Sequence, residues 1–129
     1  MQAFREAVER KDLDGLIALF AEDAVFRSPA VHRPYEGRDT IRVLLGAVLE
    51  VFEDFRYTDE LAGGDGRSAL VFRARAGDRE LEGCDFIHVR DDGLVDELVV
   101  MIRPHTGLQA VMEAMGRILS RPPPRSAPA

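Results

Sequence analysis

Three runs between Arg67 and Arg103 constrain this chain more than any other feature. In Arg67–Ala76, Ser68, Leu70, Phe72 and Ala74 fall at every second position, with Ala69, Val71, Arg73 and Arg75 between them. Glu80–Arg90 and Leu94–Arg103 alternate in the same way. Gly77-Asp78 and Asp91-Asp92-Gly93 separate the runs, and such short turn segments leave no room for a crossover connection. Residues two apart in a strand share a face, so the runs predict an antiparallel meander with one apolar side. Phe55–Ala62 also alternates, and Gly63-Gly64-Asp65-Gly66 turns it towards the meander.

A sheet with one apolar face needs a cover, and the N-terminal half supplies it. Met1, Phe4, Ala7 and Val8 predict a first amphipathic helix ending near Lys11. In the segment from Asp12 to Gly37, Leu13, Leu16, Ile17, Leu19 and Phe20 form a second helical face, with Asp12 or Asp14 available as its cap. Ala24–Ser28 then alternates as a strand that Pro29 ends, and a loop carrying His32 and Tyr35 follows. From Arg38 to about Asp54, Ile41, Leu44, Leu45, Val48, Leu49 and Phe52 recur at helical spacing. After Pro104, Thr106 can cap a last helix with the stripe Leu108, Val111, Met112, Met115 and Leu119, whose methionines read as packing residues. The prediction is an α+β fold with one domain over residues 1–120. Residues 121–129, RPPPRSAPA, read as a Pro-rich disordered or polyproline-like tail.

Charge and composition narrow the partners. A net charge of −6 argues against nucleic acid or an anionic membrane as the main partner, since both attract basic surfaces. No apolar run approaches the ~20 residues of a membrane-spanning helix, and the charged start MQAFREAVERKD is unlike a secretory signal. Cys84 is the sole cysteine, so no intrachain disulfide forms and a cytoplasmic location is the expectation. Three histidines without H-x-H or H-x-x-x-H spacing predict no metal site, and no glycine-rich phosphate loop is present, so no cofactor is expected.

The inward faces predict a pocket lined by Phe26, Ser28, Leu70, Phe72, Asp85, Ile87, Leu98 and Val100. Asp85 is the informative residue, because it shares a face with Leu81, Gly83, Ile87 and Val89. A carboxyl there is either paired with a buried donor as a structural group, or desolvated and available to a ligand as a proton-bearing donor. His32 can act as acid or base in the loop with Tyr35 orienting a substrate; a solvated His32 and a packed Tyr35 is the alternative. Val71, Arg73, Cys84, Phe86, His88, Val99 and Met101 fall on the opposite face, where mixed apolar and Arg/His groups suit a homodimer contact.

Three stretches carry a family resemblance: DLDGLIALFAEDAVFRSP, PYEGRDTIRVLL and LEGCDFIHVRDDGLVDELVVMIRP. Through them the chain resembles the nuclear-transport-factor-2-like superfamily, and in particular its SnoaL-like, polyketide-cyclase-like bacterial members. The resemblance implies a cone in which a curved, mainly antiparallel sheet wraps the N-terminal helices, with a C-terminal helix and an apolar pocket open at one end. It also implies dimerisation through the outer sheet face. Its members include ketosteroid isomerases, limonene epoxide hydrolases, scytalone dehydratases, polyketide cyclases and proteins without catalysis.

In the isomerases, an aspartate at the place of Asp85 donates to the developing oxyanion. The place of their catalytic base is Ser28, and their supporting tyrosines fall on Phe4, Phe20 and Leu45, which leaves Asp85 without hydroxyl support. The ionisable groups of the epoxide hydrolases fall near Phe72, Ala74 and Val100. The resemblance therefore implies a protein that binds a small apolar molecule. The alternative is a general acid/base enzyme of cyclase, isomerase or dehydratase type acting on a carbonyl-bearing substrate, with Asp85 assisted by His32, Tyr35 and Ser28.

Overall fold

The structure is a computed structural model and describes residues 1–122. Two short helices, α1 (Gln2–Glu9) and α2 (Leu13–Ile17), lead into β1 (Phe20–Arg27). A loop then carries β2 (Tyr35–Glu36) to the long helix α3 (Arg38–Val51). Four strands follow, β3 (Glu53–Ala62), β4 (Arg67–Ala76), β5 (Arg79–Val89) and β6 (Val95–Arg103), and then α4 (His105–Leu119). The strands form one curved six-stranded sheet in the order β2-β1-β6-β5-β4-β3. β3 to β6 pair antiparallel in sequence order, whereas β1 runs parallel to β6 and carries β2 on its free side. The predicted meander is therefore present, with β3 as its fourth strand.

Several boundaries differ from the periodic reading, each for a physical reason. The second helix stops at Ile17, and Phe20 already belongs to β1. The Leu19 carbonyl accepts from the Val95 N–H at 2.8 Å and Phe20 sits level with Val95, so the parallel ladder takes backbone groups that a longer helix would have used. Asp12, not Asp14, caps α2: its carboxylate accepts from the Gly15 N–H at 3.0 Å. α3 ends at Val51 because Phe52 is extended, and its ring stacks on Phe55. Thr106 is not a cap, since α4 starts one residue earlier, behind Pro104, and has no side-chain cap.

The β3 edge holds a feature that alternation alone does not show. Tyr57 is level with Phe72, yet Asp59 is level with Val71, so one residue is inserted between them. This bulge reverses the facing of the rest of the strand. Phe55 and Tyr57 look inward, whereas Leu61 comes level with Ala69 on the outer face and is 61% exposed.

Phe20, Phe72, Leu16, Ile41, Leu70, Ile87, Leu98 and Val95 are the largest fully buried side chains, drawn from both the helices and the sheet. Among the described residues, no helix is long and apolar enough to cross a membrane. The predicted tail falls largely on residues 123–129, outside the described residues.

Candidate functional site

The concave face of the sheet does not fill completely against α1, α3 and α4, and a cavity of about 260 Å³ remains. Phe4 and Val8 of α1, Leu45 and Leu49 of α3, and Val111 and Met115 of α4 form its helical walls. The sheet contributes Phe26, Phe72, Asp85, Leu98 and Val100, with Ser28 just past the end of β1. Leu70 and Ile87 were expected in the lining but are not part of it. They face the same way as Phe72 and Asp85, one inward step further along their strands, where the core has closed over them.

Asp85 faces inward as alternation requires: Leu70 is level with it on β4 and Val100 on β6. It is the one buried charged residue among the described residues, at 8% exposure. Its Oδ2 accepts a hydrogen bond from the Tyr57 hydroxyl at 2.9 Å, and no donor among the described residues reaches Oδ1. Burial pushes the Asp85 carboxyl up to about 7, and the Tyr57 hydrogen bond only partly offsets this. The Tyr57 phenol is raised far above its usual range, first by burial and then by the adjoining carboxylate, so it remains a donor. Arg27, a conceivable counter-ion, points to the outer face and pairs there with Glu97 at 3.3 Å.

Tyr57 corrects the expectation that Asp85 lacks hydroxyl support. The hydroxyl comes from edge strand β3 and not from the positions of Phe4, Phe20 and Leu45. Phe55 meets the Tyr57 ring edge-on with centroids 4.9 Å apart. The Arg5 guanidinium covers it at 5.7 Å while pairing with Glu60 at 3.1 Å. Tyr57 does not line the cavity and stands behind Asp85. Which residue Tyr57 meets depends on the β3–β4 register and its bulge.

The remaining candidates separate. Tyr35 lines the cavity and meets Phe26 edge-on at 6.3 Å. His32 is exposed on the loop and outside the lining, so the structure does not bring it to Asp85. Ser28 is within the lining, and its Oγ accepts from the backbone N–H groups of Ala30 at 3.0 Å and Val31 at 3.2 Å. On the outer face Val71, Cys84 and Met101 are level with one another, as are Ala69, Phe86 and Val99. Phe86 and Met101 are 41% and 59% exposed. His88 Nδ1 lies 2.6 Å from Asp96 Oδ1 on that face. No group of three or more His, Cys, Asp or Glu side chains among the described residues is arranged to hold a metal ion.

A family model for the SnoaL-like domain matches residues 1–98. Among solved structures, the chain is similar to a steroid delta-isomerase from Pseudomonas aeruginosa at 48% identity, over 91% of this chain and 86% of that one, with a TM-score of 0.87. It is 32% identical to an uncharacterized protein with a cystatin-like fold from Silicibacter pomeroyi, over 92% of this chain and 84% of that one, with a TM-score of 0.86. A nuclear-transport-factor-2-like protein of unknown function from Mesorhizobium loti shares the fold at 21% identity, covering 81% and 88% of the two chains with a TM-score of 0.71. No curated protein matches the chain.

Proposed function

The chain belongs to the SnoaL-like domain family, and from that membership we propose that it binds a small apolar molecule whose hydrogen-bond acceptor meets Asp85. The observation that carries this reading is Asp85 at the wall of a mainly apolar cavity, backed by its hydrogen bond from Tyr57. Tyr57 occupies Oδ2, so a protonated Asp85 has Oδ1 left to donate from. A neutral carboxyl in a dry site is a strong donor towards a carbonyl oxygen, because little solvent competes with it.

The test is calorimetric titration with a bicyclic ketone such as trans-decalin-1-one at pH 6. Asp85→Asn should retain binding, since the amide also donates. Asp85→Leu should lose about 1–3 kcal/mol, the cost of an unmade buried hydrogen bond. Equal affinity in the Leu variant would make Asp85 a structural group and end this reading.

The 48% identity to a steroid delta-isomerase supports a second reading, general acid/base catalysis of cyclase, isomerase or dehydratase type. Asp85 would then polarise a substrate carbonyl, with Tyr35 orienting the substrate. His32 would have to swing in from its exposed loop to transfer a proton, and Ser28 stands where the isomerase base would be. Following the ultraviolet absorbance of a conjugated enone formed from a β,γ-unsaturated steroid ketone tests it, and no rate above buffer would remove isomerisation.

The outer sheet face is proposed as a homodimer surface. Its apolar rows, including Val71, Cys84, Phe86, Val99 and Met101, are bordered by Arg73 and His88. An apolar centre with a charged rim is the arrangement of interfaces, and the reduced Cys84 within it suits a cytoplasmic setting. Light scattering at micromolar concentration should report twice the chain mass, and Met101→Asp should lower it to one chain. A monomer for the unmodified protein would exclude the dimer.

A further inference from the structure

We infer that Ser28 is a second anchoring donor, and that the ligand is an apolar ring system carrying two hydrogen-bond acceptors on opposite edges. This deepens the reading above and rests on it. Arg27 is level with Val99, so Ser28, the next residue, comes level with Val100, and Val100 is level with Asp85. Ser28 and Asp85 thus stand in one row of the concave face, two strands apart. At a strand spacing of about 4.8 Å their backbones are separated by about 10 Å, and side chains on a concave face converge. Val100 lies between them as an apolar floor.

The chemistry of both ends is set by what each oxygen already holds. A serine hydroxyl has two lone pairs and one proton. The Ala30 and Val31 N–H groups occupy the lone pairs, which leaves the proton, and no acceptor for it is present among the described residues. At the other end Tyr57 donates to Asp85 Oδ2. Each end therefore offers a donor towards the cavity while Asp85 carries its proton. Ser28 is half-buried at the cavity wall, so a ligand with one carbonyl engages Asp85 and leaves the Ser28 proton to solvent. A ligand with two acceptors about one or two rings apart satisfies both.

The test compares trans-decalin-1-one with trans-decalin-1,5-dione, which share a skeleton and differ by one carbonyl. The wild-type protein should bind the dione about five- to tenfold more tightly at pH 6. Ser28→Asn and Ser28→Asp both keep a side-chain oxygen for the Ala30 and Val31 N–H groups, and slow amide exchange at those two positions would verify the turn. Asn also keeps a donor and should retain the preference. An ionised Asp has none and should bind the two ketones within about twofold of each other. Preference retained in Ser28→Asp, lost in Ser28→Asn, or absent from the wild type while the monoketone binds would overturn the Ser28 assignment alone. Failure of the wild type to bind either ketone would overturn the binding reading and this inference with it.

Discussion

Asp85→Asn should remove most of the fall in stability that the wild-type protein shows between pH 5 and 8, a difference of about 2–3 kcal/mol. Burial raises the Asp85 carboxyl to about 7 in the folded protein, whereas an unfolded chain holds an aspartate near 3.9. Between those values the folded state binds the extra proton. Stability is therefore full below about pH 4, declines as pH rises through 7, and is lowest above it. Asparagine keeps the shape and never has to ionise in the dry site. Urea midpoints for both proteins across that range read the difference directly, with the slope of each transition held as a control. Parallel pH profiles for the two proteins would show that Asp85 titrates normally and that its surroundings are wet.

Phe72→Ala should cost about 3–5 kcal/mol, the range for deleting a well-packed buried aromatic ring. Phe72 is 1% exposed. Its ring lies 5.0 Å from that of Phe55, 5.6 Å from Phe52 and 6.4 Å from Tyr57, centroid to centroid. It also leans over Gly83, its partner on β5, where a Cβ would overlap the ring and come within 2.8 Å of the Met101 carbonyl oxygen. Glycine at 83 and phenylalanine at 72 are thus two halves of one fit. Removing the ring also frees the aromatic wall that holds Tyr57 upright, so the effect should reach Asp85. A loss below about 1 kcal/mol in urea unfolding would show that the helices collapse into the space.

Much of this fold is legible in the residues, and where it is not the reason is local. β4 is predicted to the residue because the turns Gly63–Gly66 and Gly77-Asp78 bound it at both ends, and a strand paired on both sides has no freedom to slip. The inward facing of Asp85 follows from the same alternation. Tyr57 was missed as its partner because the contact spans 28 residues and depends on how far β3 slides against β4. Ser28 was legible as a strand end, but not as a hydroxyl that two backbone N–H groups share, since that depends on how the loop folds back after Pro29. β2 is two residues long and exists by pairing with β1, so it leaves no period to read.

The parallel β1–β6 ladder gives the two walls of the cavity different histories. Phe26 pairs across to Leu98, joining an early segment to the last strand of the sheet. Closing a loop of that length costs about 2–3 kcal/mol more in chain entropy than closing the short turns of the meander, and pairing on a finished edge repays it. The strands bearing Phe72, Asp85 and Val100 are joined by short turns, so they are expected to pair first and present that edge. The wall bearing Phe26 and Ser28 docks onto it from a distant part of the chain. On that expectation the site is a box whose back forms first and whose front panel is fitted last, with the donors Ser28 and Asp85 on either side of the seam, an order that pulse-labelled amide exchange on β1 against β5 would check.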